Sequence, residues 1–440
     1  MAKRRIFGGY LILAMMVVTI IGGILGLYQT NSLLTLAGIA SWMAAGLLWV
    51  DLLRAQKIQV GLLILIGLFL ALIGVLNGAS MDIQTIVTGN TGLLTMVTSV
   101  GFLRLVAMPG PQADQATIKQ HQSLPAGHSG FVQTIFGTAI FGAVINISAP
   151  ILIADRIHDQ RPLARFTSQT LTRVFSAAAS WSPFFAGMAV VLTFVPEADL
   201  AWLMAAGLPF ALVSLALVYA EARLRYSGEI DGFVGYPLRL SSLWIPGLLA
   251  LFVLLSQWLI EDLPILITIA SGSLSITGVV LWQRIGAFDT IKALGDHVRH
   301  GLPRVVNELT LFLAAGVLAS GIRALIDADL LLIGIDGFDA ISAIALVGLM
   351  ILFGAMGVHP VILISGFTPL LIALDPNPNL LALCYLFAWS MGTCASPLSG
   401  THLVFQGRYG IPSWRGAVWN WPYVIMMYLF SSFWIWMVAN

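Results

Sequence analysis

Four short polar breaks in otherwise apolar sequence hold the residues able to do chemistry: Asn146-Ile147-Ser148, Ser182-Pro183-Phe184-Phe185, Gly357-Val358-His359-Pro360 and Ser396-Pro397-Leu398-Ser399. Proline inside a helix removes a backbone donor and clashes with the turn before it, so Pro183 and Pro397 predict broken helices. A helix interrupted at membrane depth leaves unpaired N–H and C=O groups, tolerated only where protein or a water-filled cavity satisfies them. Half-helix N-termini carrying Asn or Ser side chains suit an anionic group, and free carbonyls with half-helix C-termini suit a cation. The residues expected around such a site are Asn146, Ser148, Ser182, Pro183, Gly187, Ser396, Pro397, Ser399, Gly400 and Thr401, joined by His359 and His402. Asn146, Ser148 and His359 are the candidates for the coupling ion. No carboxylate occurs at any of the four breaks, which disfavours a site that binds a bare cation through acidic ligands.

The histidines have competing readings. His359 stands where the first copy has Asn146 and titrates near neutral pH, and an ionisable residue inside the membrane is a functional candidate by default. The plain alternative is a neutral imidazole bonded to a nearby carbonyl. His402, five residues past Pro397, either lines the same cavity or packs structurally. Arg173, ten residues before Pro183, reads as a cytoplasmic anchor or a substrate counter-charge, and Asp155 and Glu308 read as snorkelling or capping groups at helix ends.

The breaks come in pairs. From Pro183 to Pro397 is 214 positions, from Pro209 to Pro422 is 213, from Asn146 to His359 is 213, and NTGLLTMVTSVGF from Asn90 matches NELTLFLAAGVLA from Asn307 at 217. One duplicated unit explains four landmarks with so little drift. Taken singly, a Ser-Pro pair in a spanning helix gives only a kink, but recurrence at one offset beside matched polar tips points to a binding site of a secondary transporter.

The elements that position these residues must be membrane helices. The chain is 58% hydrophobic and 9% charged, with a mean hydropathy of +0.93. The expected fold is an all-α polytopic membrane protein with about eleven transmembrane helices, at 7–28, 33–53, 59–77, 84–107, 168–195, 200–220, 241–260, 263–283, 304–326, 380–407 and 415–438. Two re-entrant hairpins, 130–155 and 340–374, complete it, because arms of about 12–16 residues reach only ~18–24 Å against a crossing of ~30 Å. With the N-terminus cytoplasmic, 20 of the 21 Lys and Arg residues fall on the cytoplasmic side or at that end of a span, Arg323 excepted, while half of the 20 acidic residues, among them Glu197, Asp199, Glu261, Asp262, Asp327, Asp336 and Asp375, fall in external loops. That asymmetry follows the positive-inside rule and inverts one repeat relative to the other. MAKRR and the run after it read as the first transmembrane helix rather than a signal peptide. Residues 108–129, rich in Pro, Gln and His, and the 161–165 turn face the cytoplasm, and Ile285, Phe288, Ile291, Leu294 and Val298 mark a helix lying along the interface. Cys384 and Cys394 fit neither a metal site nor a disulfide framework. Walker A and HExxH sequences are missing, and no Ser/His/Asp pattern persuades, so an enzyme is not expected.

A polar-tipped hairpin followed by a helix broken at a Ser/Thr-Pro turn, both present twice in inverted orientation, resembles the ion transporter superfamily: divalent anion/sodium symporters, arsenite permease-like carriers and large subunits of TRAP transporters. In the symporters the tip reads Ser-Asn-Thr and the break Thr-Pro-Pro-Asn; here Ile145-Asn146-Ile147-Ser148, Ser182-Pro183, Gly357-Val358-His359-Pro360 and Ser396-Pro397 stand in those places. Ser399 to Pro422 is similar to the family's last repeat. Neither tip keeps the full triplet, a departure from dicarboxylate recognition. The resemblance covers the chain from Asn90 onward and implies this division: scaffold helices 1–83, repeat 1 at 84–220 with the broken helix 168–195, linking helices and interfacial segment 221–303, and repeat 2 at 304–440 with the broken helix 380–407. The expected function is an elevator-type, alternating-access carrier of a small organic anion such as a carboxylate, coupled to Na⁺ or H⁺, in the inner membrane. A carrier of a neutral or amphipathic solute, a TRAP-type permease subunit and an ion channel are the alternatives. No cofactor or metal is expected beyond a bound Na⁺; the expected partners are the small-molecule substrate, the coupling ion, the lipid bilayer and a second copy in a homodimer, with no nucleic acid.

Overall fold

The computed structural model describes residues 2–26, 31–80, 82–107, 125–158, 162–235, 244–260, 263–331 and 337–440. Most of the Pro-, Gln- and His-rich segment, together with Arg161, Glu261, Asp262 and Asp336, lies outside the described residues. Among the described residues there is no strand, only a single antiparallel bridge between Ala126 and Val234. In chain order the helices are α1 Ala2–Ile24, α2 Asn31–Leu48, α3 Arg54–Leu76, α4 Ile83–Thr88, α5 Thr91–Val100, α6 Arg104–Ala107, α7 Gly127–Ile145, α8 Ser148–His158, α9 Arg165–Ala177, α10 Ala186–Phe194, α11 Leu200–Arg225, α12 Ser227–Asp231, α13 Trp244–Leu259, α14 Ile265–Asp296, α15 Val306–Asp327, α16 Ala340–Ala355, α17 Pro360–Ile372, α18 Pro378–Ala395, α19 Gly400–Tyr409 and α20 Ser413–Ala439. Nine helical segments among the described residues are long and apolar enough to cross a membrane. Helices satisfy their own backbone in hydrocarbon, which is why an apolar chain of this kind is helical.

The chain divides into two compact units. The first comprises Met1–Met108, Ile245–Asp336 and Ser365–Leu374; the second comprises Pro109–Trp244, Gly337–Ile364 and Asp375–Asn440. The openings of both repeats, 84–108 and 304–336, fall with the N-terminal helices in the first unit.

In the first unit α3 and α15 meet along a seam of small residues. A Cβ on Gly321 would stand 2.1 Å from Gly67 O, and one on Gly74 would stand 2.5 Å from Ala324 O. Only glycine admits that approach, the usual basis of helix association in lipid. Away from the seam α3 exposes Leu62, Leu65, Phe69, Leu72 and Leu76, the surface a bilayer would cover. The expected span 84–107 is not one helix: it turns at Gly89-Asn90, and the Asn90 amide donates to Phe312 O on α15. Gly286, at φ +80°, bends α14, and beyond it Phe288 and Ile291 are exposed while Val298 is buried.

In the second unit the first expected hairpin, the tip of the second and both expected broken helices are present, and from Ser365 on the second hairpin's other arm belongs to the first unit. α7 turns into α8 at Asn146-Ile147, and α16 into α17 at Met356 to His359. α9 continues through a 3-10 turn at Ala178–Ser180, breaks over 181–185 and resumes as α10; α18 breaks over 396–399 and resumes as α19. One arm departs from expectation. α7 has 19 residues, long enough to reach across hydrocarbon, because it begins at Gly127, where the bonds Gly127 N–H to Phe233 O and Gly235 N–H to Pro125 O, both 2.8 Å, fix its start. The other arms have 11, 16 and 13 residues.

Candidate functional site

The two Ser-Pro breaks have one hydrogen-bond pattern. The Ser182 and Ser396 N–H groups donate four residues back, to Ala178 O at 3.0 Å and Gly392 O at 2.9 Å. Two residues on, the Phe184 and Leu398 N–H groups each donate to the serine Oγ at 3.2 Å. Three residues on, Phe185 and Ser399 N–H donate to the serine carbonyls at 3.3 and 3.2 Å. The proline supplies no N–H, and the serine hydroxyl accepts the next one, closing the same tight turn twice.

The tips pack against the breaks. Asn146 sits at φ 51°, ψ −139°, where a side chain is strained, and its own amide holds it there: Nδ2 donates to Phe184 O at 3.1 Å and Oδ1 accepts from Ala186 N–H at 3.2 Å. The Ser182 hydroxyl, fully buried, donates to Ala143 O on α7. At the second tip, Gly357 takes the positive φ of 95°, and a Cβ there would stand 2.8 Å from Leu398 Cδ1. His359 Nδ1 accepts from Val361 N–H at 3.3 Å, capping its own helix, and the ring meets Trp389 edge-on with centroids 5.7 Å apart. Trp389 in turn covers Gly187, where a Cβ would lie 3.0 Å from the indole, and Ile147 reaches Gly400, where a Cβ would lie 3.0 Å from its Cδ1.

The structure thus brings tips and breaks of both repeats together in one unit. Asn146, Ser148, His359 and Pro397 are half-buried and Gly400 is exposed, whereas Ser182, Pro183, Gly187, Ser396, Ser399, Thr401 and His402 are buried. Both Ser-Pro hydroxyls are engaged within the turns, and the Ser399 hydroxyl caps α19 and stands 3.0 Å from His402 Nδ1. Thr401 Oγ1 is buried with no partner among the described residues. Phe184 and Phe185 turn into the core, Phe185 against Phe175 with centroids 5.3 Å apart. Four helices, α8, α10, α17 and α19, begin at the tips and breaks, so N-terminal N–H groups gather there beside the carbonyl ends of the halves before them.

Two readings of charged residues change. Arg173 does not reach outward as an anchor: it is 3% exposed, paired with Glu221, and its Nε donates to Asn420 Oδ1 at 2.7 Å. Asp155 is not a cap but an ion-pair partner, 2.6 Å from Arg408 and 2.6 Å from the Tyr409 hydroxyl that donates to it. The two cysteines are free and buried, and Cys394 lies 3.0 Å from the Ser176 hydroxyl, joining the two broken helices. Trp389, Asn420 and Ile147 escaped the residue-level reading because an apolar or amide side chain within an apolar run gives no local sign of its partner.

No protein-family model matches the chain, and no curated protein matches it. Among solved structures it is similar to one described as the crystal structure of the Alcanivorax borkumensis YdaH transporter, with an unusual topology, at 14% identity over 86% of this chain and 97% of that chain, with a TM-score of 0.49. On its own residues, the chain is an all-helical polytopic membrane protein.

Proposed function

We propose that the chain is a secondary active transporter that carries a small organic anion by alternating access of the elevator type. The observation that carries this reading is the repeated Ser-Pro turn, with one hydrogen-bond pattern in both copies, placed beside two polar hairpin tips in a single unit. A packed kink needs no second copy and no partner hairpin. Helix N-termini gathered without a nearby carboxylate favour an anion, and the inward packing of Phe184 and Phe185 favours it over an amphipathic solute. A thermal-shift screen of purified protein against carboxylates, sulfonates and oxyanions, with and without Na⁺, tests the reading, because a ligand that binds only the folded state raises its stability. We expect an anion to raise the midpoint and that same anion to accumulate in proteoliposomes. A shift with uncharged solutes alone points to the neutral-solute carrier, and flux without saturation or coupling points to a channel.

The coupling scheme is a proton at His359 with a Na⁺ at the first turn, where Asn146, Ser148 and carbonyls supply oxygen. Protonation of His359 places a hydrogen on Nδ1 and breaks its bond to Val361 N–H, so the second tip rearranges when the proton arrives. His359→Gln is expected to remove the pH dependence of uptake that a proton at this residue imposes. An unchanged profile in that variant, with uptake following a Na⁺ gradient alone, removes the proton from the scheme. Inverted orientation of the repeats predicts that a cysteine at position 146 is labelled mainly from the cytoplasm and one at 359 mainly from outside; labelling of both from one face in every condition rejects it.

A further inference from the structure

A chain of polar groups runs through the interior of the second unit to the second break. The Arg173 guanidinium lies 5.0 Å from the centre of the Tyr423 ring, with Glu221 at Nη1 and Trp419 O at 3.2 Å from Nη2. Its Nε donates to Asn420 Oδ1, which fixes the orientation of that amide. Asn420 Nδ2 therefore faces the other way, donating to Gly416 O at 3.0 Å and standing 3.4 Å from His402 Nε2. The other ring nitrogen, His402 Nδ1, is 2.8 Å from Ser396 O. A carbonyl only accepts and an amide NH₂ only donates, so Nδ1 carries a hydrogen and Nε2 does not. One species meets both conditions, the neutral Nδ1–H imidazole. Gly416 leaves room for it: a Cβ there would stand 2.6 Å from His402 Cδ2.

We propose that Asn420, oriented by Arg173, is a positioning residue that holds His402 as the Nδ1–H tautomer, so that His402 locks the Ser396 carbonyl and closes the second break. The Ser396 carbonyl accepts from two protein donors, Ser399 N–H and His402 Nδ1–H. Its counterpart, Ser182 O, accepts from Phe185 N–H alone among the described residues. A cation bound at the breaks is therefore taken at the first turn and not the second. That consequence rests on the proposed carrier function; the lock does not.

The experiment is nitrogen NMR on the full-length protein with ¹⁵N-labelled histidine at neutral pH, the His402 signals being identified by their loss in His402→Asn. Wild type is expected to show a protonated Nδ1 and a bare Nε2. Asn420→Asp, equal in size but unable to donate, is expected to move a hydrogen onto Nε2. Hydrogen exchange across 396–403 is expected to rise roughly tenfold in His402→Leu, the effect of one lost hydrogen bond on a local opening, and to stay within about twofold in His402→Asn, whose amide nitrogen can take the place of Nδ1. An Nε2–H tautomer in wild type, an Asn420→Asp spectrum like wild type, or equal exchange in the two His402 variants overturns the lock. If His402→Leu does not fold, the Asn420→Asp spectrum decides. For the consequence, a Na⁺-dependent thermal shift is expected to survive in His402→Asn and to vanish in Asn146→Ala. Loss in His402→Asn places the cation at the second break and overturns the consequence, whereas no Na⁺ shift even in wild type counts against Na⁺ coupling and leaves the tautomer result standing.

Discussion

The two halves of the candidate site are built on one plan and fastened differently. At the first tip a single residue, Asn146, both takes the positive φ and bonds across to the broken helix, and Ser182 returns a bond from the break to Ala143. At the second tip, two residues longer, the work is divided: Gly357 takes the positive φ and His359 caps its own helix. There Gly357 meets Leu398 through packing, and the break is fastened by His402. The first hairpin and its broken helix are thus one hydrogen-bonded body, whereas Gly357 of the second tip meets its break through packing. Contacts between apolar atoms separate without leaving unpaired polar groups, so the second tip is the easier one to open.

The largest effect expected from breaking this difference is at Asn146. Asn146→Ala removes both bridging bonds and leaves a methyl side chain at φ 51°, a loss of about 3 kcal/mol in reversible unfolding, whereas Asn146→Gly relieves the backbone and loses less. Equal stability of the two variants would show that strain plays no part. Next comes the pair of serines. Ser182→Ala strands Ala143 O as well as Phe184 N–H and is expected to cost about 2 kcal/mol, against about 1 kcal/mol for Ser396→Ala, which strands only Leu398 N–H. If the order reverses, the first half is not the more firmly knitted. Gly357→Ala is expected to cost about 1–2 kcal/mol from the positive φ, and to loosen the second tip in hydrogen exchange while leaving the first unchanged. The smallest effect belongs to Asp339, which caps α16 by accepting from Ser342 N–H at 2.8 Å. The Ser342 hydroxyl bond holds the Asp339 carboxyl below the ordinary 3.8, so the ionised cap is complete above that value and is lost as the pH falls through its own lower one. Asp339→Ala should raise exchange at Ser342 at neutral pH and remove any further rise on acidification.

Much of this arrangement is legible residue by residue. Pro183 and Pro397 force breaks wherever they stand, because a missing N–H and a fixed φ act on the nearest turn. The tips at 146–148 and 357–360 are equally visible as polar interruptions in apolar runs. The matching of His359 to Asn146 by offset is half of the truth: both cap the following helix through their carbonyls, but the positive φ passes to Gly357. A two-residue lengthening of a turn leaves hardly any mark on an offset of 213.

Residue types and spacing alone established an apolar helical chain and the four places where helices must stop, since propensity, proline geometry and hydropathy are local properties carried by a few neighbouring residues. Partnership is another matter. Asn146 meets Phe184 across 38 positions, Arg173 meets Asn420 across 247, and Ser176 meets Cys394 across 218. Nothing in the residues beside Arg173 distinguishes an arginine that reaches the headgroups from one that orients a buried amide, because the partner lies 247 positions away. Only the packed fold, by excluding water around the guanidinium and presenting Asn420 to it, decides that this charge stays inside and that His402 is a clamp on the turn.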